Sequence, residues 1–421
     1  MKASISKSEI HGQVTAPPSK SYTIRGVFCA ALAKGESEIV YPLASDDTEA
    51  ALDVLDKVGV HVRQQKGSWK VSGGNLHEPG ADLFCRDSAL TLRFMTAIAS
   101  IVPGKSRLTV GPSLSRRPIE PLIMALDQLG VDCHYRAKPA CIIVNGGKLT
   151  GGVTSLPGNI SSQFVSALLL ISPFAVRGMT IRVTSPLDSQ SFVSMTLECL
   201  KLFGINVKSA AGLTEFETVP QVYRPARYLV EGDWSSVSYF LAMGALGGDV
   251  VVENLNPESL QGDKAIIKFL RDMGASVIVD RDSVKVEKSR LKAITADLAD
   301  CIDLFPTMAV LAAAAEGQSQ FTGIARARLK ESNRVAAVGD GLERMGINVI
   351  QEEDKLSITG GIPRGSVIDS KNDHRIAMAF SLLGALAGGT TITQAECVSK
   401  TYPGFWKTLK SIGGEVNLDE Q

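Results

Sequence analysis

Apolar positions along the chain fall into two alternating patterns. One is a continuous stretch rich in Ala and Leu that opens after a Ser or Asp turn and closes near a Gly. It occurs at 19–35, 87–104, 161–178, 235–247, 303–317 and 373–388. Each stretch reads as a helix, and the opening Ser or Asp is suited to cap free backbone N–H groups. The other pattern follows each Gly: a short β-branched run (107–110, 180–183, 250–252, 390–393), then an amphipathic segment ending in an apolar residue plus Gly. Those endings are Val58-Gly59, Leu129-Gly130, Phe203-Gly204, Met273-Gly274, Met345-Gly346 and Ile412-Gly413. Gly there suits the left-handed residue after a helix. Strands such as 277–279 and 348–350 come next.

The two patterns recur in phase, roughly every 70 residues, as an internal repeat. Each unit reads as βαβαβ-like with two helices. Six units predict two α/β lobes of three, and 421 residues exceed what one ordinary core holds. Pro17-Pro18 and Tyr223-Arg224-Pro225 are the stiff candidates for crossings between lobes.

Composition narrows the function. Lys plus Arg (44) equals Asp plus Glu (44), which argues against a nucleic-acid partner reading backbone phosphates. An anion site must therefore come from a local gathering of cations. The opening residues Met1–Gln13 hold no apolar core of signal-peptide length, and the longest apolar stretches, such as 308–315, are too short to span a membrane. Seven scattered cysteines without a CxxC pair, and five dispersed histidines, predict a reduced cytoplasmic protein without a zinc site. Gly104-Lys105-Ser106 ends like a phosphate-binding loop, but Ala99 stands where the first Gly is required.

Basic residues gather at the openings of the helices. The first apolar segment opens with Ser19-Lys20-Ser21 and Arg25, the second with Asp87-Ser88 and Arg93, the third with Ser161-Ser162-Gln163, the sixth with Asp373-His374-Arg375. The amphipathic segments open with Ser115-Arg116-Arg117-Pro118, with the run from Arg326 to Arg334, and with Lys400-Thr401-Tyr402-Pro403. Helix N-termini attract anions, and Arg adds bidentate recognition of phosphate or carboxylate. In a chain with no net charge, this placement predicts a site for small, strongly anionic molecules.

These motifs, in this order, resemble the 5-enolpyruvylshikimate-3-phosphate synthase family over essentially the whole chain. The pieces that carry the resemblance are Pro18-Ser19-Lys20-Ser21 with Arg25, Leu92-Arg93-Phe94, Arg117-Pro118-Ile119, Ser161-Ser162-Gln163-Phe164, Lys330-Glu331-Ser332, Asp373-His374-Arg375-Ile376-Ala377-Met378 and Lys400-Thr401-Tyr402-Pro403. The resemblance implies an α/β (α+β) protein of two similar domains, each of three βαβαββ-type units in an inside-out, barrel-like arrangement, with a cleft between the domains. The expected lobes are 14–226 and 227–421, the latter completed by 1–13.

The implied reaction moves the enolpyruvyl group of phosphoenolpyruvate to the 5-hydroxyl of shikimate-3-phosphate. It releases phosphate through a tetrahedral ketal, with no metal or organic cofactor. Lys20, Ser21, Arg25, Ser161, Ser162, Gln163, Ser189, Asp303 and Lys330 match the family's shikimate-3-phosphate contacts. Lys20, Ala89, Arg117, Gln163, Arg334, Arg375 and Lys400 match its phosphoenolpyruvate contacts. Asp303 matches the base, Glu331 the proton donor, and Lys20 is the competing donor. His374 is weighed equally as a structural residue orienting Arg375 and as a substrate contact. The expected partners are these two small molecules alone, taken up by a monomer without nucleic acid or membrane.

The sequence departs from the family pattern at Asp87-Ser88-Ala89-Leu90, where Asn-Ser-Gly-Thr is usual, at Phe192 for Tyr and at Asn333 for Asp. The Ala89 methyl is expected to narrow the phosphoenolpyruvate site. Two other readings remain. A UDP-N-acetylglucosamine enolpyruvyl transferase would carry Lys-Asn at Lys20-Ser21 and a Cys on the loop 111–116, which has none. A non-catalytic anion-binding paralogue would lack Asp303 or Glu331.

Overall fold

The computed structural model describes residues 1–419 and divides into two units, 18–230 and 1–17 with 231–421. Each contains three separate four-stranded sheets. One repeat shows the plan. Leu83–Phe84 runs parallel to Gly104–Thr109, which pairs antiparallel with Ala140–Gly146, itself the hairpin partner of Asp132–Ala137. A helix joins the two parallel strands, as a parallel crossover requires. A second helix leads into the hairpin. The unit is thus βαβαββ, one strand longer than the periodicity alone indicates.

The chain is cut across this plan in three places. Ile10–Thr15 runs parallel to Gly248–Glu253, Arg227–Leu229 runs parallel to Gly35–Val40, and Lys2–Ile5 lies between Thr390–Thr393 and Val416–Asp419. These pairings set the unit boundaries. Pro17-Pro18 marks the first crossing as expected. The second follows Val230 rather than 223–226, because 227–229 still belong to a sheet of the first unit. The expected starts at 14 and 227 are corrected accordingly: Val14 and Thr15 pair with Val252 and Glu253.

The helices are of two kinds. α1 (Lys20–Leu32), α3 (Ala89–Ala99) and α5 (Ser162–Ile171) form the middle of one unit; α7 (Trp234–Gly247), α9 (Phe305–Ala313) and α11 (His374–Ala387) form the middle of the other. α3 and α9 are buried at every position, which explains why their sequences carry no polar face. α2 (Asp46–Asp56), α4 (Glu120–Gln128), α6 (Gln190–Leu202), α8 (Ile266–Asp272), α10 (Arg334–Arg344) and α12 (Phe405–Ser411) are half-exposed. Helices therefore sit inside and sheets outside, the inside-out arrangement expected, though each sheet is open and no barrel closes. The six glycines after the outer helices all have positive φ, from 80° at Gly130 to 98° at Gly413. Gly146 is required for a different reason: a Cβ there would stand 1.9 Å from the Ala99 carbonyl oxygen at the end of α3.

Burying inner-helix side chains such as Phe164, Leu168 and Phe380, all 0% exposed, stabilises each unit by about 1.5–3 kcal/mol per residue. Leu168→Ala would forfeit about 2–5 kcal/mol. This packing holds the inner helices rigidly, and their N-termini carry the polar side chains described next. No helix among the described residues is long and apolar enough to cross a membrane.

Candidate active site

In the first unit, the N-termini of α1, α3 and α5 follow parallel strands, the usual place for ligands in α/β proteins. Ser19 caps α1 by accepting from Tyr22 N (3.4 Å), and Ser161 caps α5 by accepting from Gln163 N (3.3 Å). Lys20, the first residue of α1, donates to Asp47 Oδ2 at 3.0 Å. Thr91 Oγ1 contacts the Asp47 carbonyl (3.4 Å), linking α3 to α2.

Arg25 lies one turn into α1 and is 1% exposed. Its Nε donates to Thr196 Oγ1 (2.9 Å), and its two terminal nitrogens donate to the carbonyls of Ser21 (3.0 Å) and Phe192 (2.9 Å). The Phe94 and Phe192 rings each lie 5.7 Å from the guanidinium carbon. Every one of these partners is neutral. Burial accordingly draws the Arg25 pKa down. A buried cation without a counter-ion is costly. Such a cation favours an incoming anion.

Arg93 is 2% exposed, donates to the carbonyls of Ala89 (3.1 Å) and Pro118 (2.8 Å), and faces the Phe164 ring at 5.9 Å. It thus joins α3, α5 and the segment carrying Arg117. Ser162 is the first residue of α5 and buried, and Ser21, Gln163 and Arg117 are half-buried. Ser189 caps α6 in a left-handed conformation (φ 53°), a strained choice for a residue with a side chain. Ala89 opens α3 and is buried. Ser88, not Asp87, occupies the cap of α3. The Asp87 carboxylate instead accepts from Ser113 and Leu114.

In the second unit, the expected residues form one bonded cluster. Asp303 ends a 3-10 turn before α9, where it was expected to cap the helix; Leu304 holds the cap position instead. Asp303 Oδ1 accepts from Arg334 (2.8 Å) and faces Lys330 Nζ at 3.4 Å, while Oδ2 faces Arg375 at 3.2 Å. Glu331 pairs with Arg334 (2.6 Å) and stands 3.8 Å from Lys400 Nζ. Asp373 caps α11 through Arg375 N (3.0 Å) and also accepts from Arg334 Nε (2.8 Å) and Ser332 Oγ (3.0 Å). Arg334, 1% exposed, therefore holds three carboxylates at once. Around Asp303, burial opposes the ionised form. Arg375, Lys330 and Arg334 outweigh it, holding the carboxyl well below the usual carboxylate range. Burial alone would lower the Arg375 pKa; Asp303 and Tyr239 raise it well above the ordinary value. The α7 segment is capped by Asp233 rather than by Ser235, whose hydroxyl donates to Asp263.

Family comparison follows from this geometry. The family described as EPSP synthase (3-phosphoshikimate 1-carboxyvinyltransferase) matches residues 5–409. The chain belongs to the EPSP synthase family. The 3-phosphoshikimate 1-carboxyvinyltransferase of Dehalococcoides mccartyi is 49% identical over 421 residues, covering 100% of both chains. That of Methanococcoides burtonii is 39% identical over 430 residues, again covering 100% of both. Among solved structures, EPSP synthase from Acinetobacter baumannii matches with a TM-score of 0.83 at 27% identity, covering 99% of this chain and 100% of that one. The enolpyruvyl transferase NikO from Streptomyces tendae, at 20% identity and TM-score 0.80, shares the fold over 99% of this chain and 98% of its own.

Several members of the EPSP synthase clusters escaped the sequence reading. Asp47, Asp263, Tyr239 and Thr196 belong to none of the sequence motifs. Asp373 and Ser332 were flagged only as parts of motifs. Their signal lay in adjacency, since Asp373 precedes His374-Arg375 and Ser332 follows Lys330-Glu331. His374 is 1% exposed, with Nδ1 3.8 Å from Asp373 Oδ1.

Proposed function

We propose that this chain transfers the enolpyruvyl group of phosphoenolpyruvate to the 5-hydroxyl of shikimate-3-phosphate, releasing phosphate. Family membership and full-length relatives of that name support the reaction. Shikimate-3-phosphate is assigned to Lys20, Ser21, Arg25, Ser161, Ser162, Gln163, Ser189, Asp303 and Lys330. Phosphoenolpyruvate is assigned to Lys20, Ala89, Arg117, Gln163, Arg334, Arg375 and Lys400. The two substrates together carry roughly five to six negative charges, which a cationic set must neutralise.

The observation that carries the assignment is Asp303 beside Lys330, Arg334 and Arg375. Without substrate those cations suppress its basicity. When phosphate and carboxylate oxygens engage Lys330 and Arg375, Asp303 loses part of that stabilisation and its proton affinity rises. The base is thus activated by the substrates it serves. It takes the 5-hydroxyl proton as that oxygen bonds to the central carbon of phosphoenolpyruvate. The methylene carbon receives a proton from Glu331, with Lys20 the competing donor. The ketal then loses a methyl proton and phosphate. The chain is taken to act as a monomer in the cytoplasm, the latter in keeping with seven buried cysteines.

Phosphate release tests the proposal. The wild-type protein should release phosphate from phosphoenolpyruvate only when shikimate-3-phosphate is present, and Asp303→Ala should lower kcat by on the order of 100-fold or more. Release without the second substrate, or an undiminished Asp303→Ala, refutes it.

A further inference from the structure

Arg117 sits on a segment that has little regular structure of its own: a 3-10 turn, Leu114–Arg116, between a strand and α4. Something else must hold it. Oδ1 of Asp87 accepts three hydrogen bonds from this segment: Ser113 Oγ at 2.7 Å, Ser113 N at 3.0 Å and Leu114 N at 3.0 Å. The carboxylate lies flat against Gly111, where a Cβ would stand 2.5 Å from Oδ2 and 2.7 Å from Oδ1. Just before it, Arg86 adopts φ 49° and its carbonyl accepts from Gly111 N at 2.7 Å. Left-handed backbone at a residue with a side chain is strained, and here it aims two successive residues at the same segment. At the far end, Arg93 fastens the Pro118 carbonyl from α3. The turn closes as Ser115 N bonds the Gly111 carbonyl and Arg117 N the Leu114 carbonyl, both at 3.1 Å.

From these contacts we infer that Asp87 is a positioning residue for Arg117. It tethers 111–117 to the start of α3, so that the Arg117 guanidinium is held where the anion binds. This rests on the assignment of Arg117 to phosphoenolpyruvate. An ionised oxygen can take three donors at once, more strongly than a neutral one.

Steady-state kinetics of the full chain test the inference. Asp87→Ala should raise KM for phosphoenolpyruvate on the order of 10-fold or more, while kcat and KM for shikimate-3-phosphate move less than about 3-fold. Asp87→Asn keeps an accepting oxygen and should recover most of that loss. Ser113→Ala removes one of the three bonds and should raise the same KM about 3-fold. It serves as the readout if Asp87→Ala fails to fold. In an Arg117→Ala background, Asp87→Ala should add less than about 2-fold, because its effect passes through Arg117. Fully multiplicative effects, an Asn variant as impaired as the Ala variant, or an unchanged KM in Asp87→Ala would overturn the inference. An unchanged KM in Arg117→Ala alone would instead overturn the assignment of Arg117.

Discussion

Removing the Arg334 side chain should destabilise one unit, by an amount that depends on pH. In Arg334→Ala, Asp303, Glu331 and Asp373 lose their shared partner. Four hydrogen bonds disappear, two of them to Asp373 (2.8 and 3.2 Å), one to Asp303 and one to Glu331. Bonds to charged groups contribute about 1.5–3 kcal/mol each, so their gross sum would be near 6–12 kcal/mol. The net cost is smaller, because Asp303 keeps Lys330 and Arg375, Asp373 keeps Ser332 and the Arg375 N–H, and a carboxylate left short of partners can take up a proton. Raising one carboxyl from about 4 to 7 costs about 4 kcal/mol, which caps the penalty per group at neutral pH. Losing one partner of a buried pair costs about 3–5 kcal/mol. For a unit of this size, that lowers its Tm by about 6–20 °C.

The sign of the pH dependence follows. In the wild type, Asp303 is depressed in the folded state, so its contribution is present above the unfolded value near 4. It is lost only as pH falls through the lower folded value. The variant removes one of the three cations that hold Asp303 down, so its folded value moves back up, and this part of the penalty shrinks as pH falls below the usual carboxylate range near 4. Urea unfolding across that range measures this. Trp234 and Trp406, both in the affected unit, report its transition by fluorescence. A Tm within 2 °C of wild type would show that Arg334 is not what holds these carboxylates together.

Two further outcomes can be measured. The buried Asp263 carboxyl is pushed up to about 6, first by burial and then by Asp303, against the pull of Arg375. Its folded value exceeds the unfolded one, so stability falls as pH rises from about 4 to 6; Asp263→Asn should stabilise by about 1–3 kcal/mol at pH 8 and by nothing below about pH 4, and a denaturation series showing destabilisation at pH 8 refutes this. Ala89, buried at the start of α3, should hinder glyphosate at the phosphoenolpyruvate site, so Ala89→Gly should lower its inhibition constant about 10-fold or more; equal constants rule out the steric account.

Much of the fold was legible because the repeat writes itself in period and punctuation. Inner helices lack a polar face, and outer ones end on glycines that the backbone holds at positive φ. The cut points were less legible. Arg227–Leu229 follows a proline-rich turn that looked like a linker, yet pairs with Gly35–Val40 far away in sequence. Pattern sees a strand but not its partner. Among site residues, cations at helix starts stood out because a gathering of Arg and Lys in a neutral chain invites explanation. Asp303 and Glu331 stood out only through the family resemblance. By pattern alone Asp303 could equally be a helix cap, and Asp87 opens a helix like any other acid, since a capping acid and a salt-bridging acid have the same local sequence. Distinguishing them requires knowing that Ser113 or Arg334 lies opposite.

The central claim is that Lys20, Arg25, Arg117, Lys330, Arg375 and Lys400 are the cations that take up the two anionic substrates. A crystal structure with shikimate-3-phosphate and a phosphoenolpyruvate-site inhibitor bound tests it most directly. The account predicts ligand oxygens within about 2.7–3.2 Å of Lys20, Arg25 and Arg117, and also of Lys330, Arg375 and Lys400. Ligand oxygens that lie away from these side chains would contradict it.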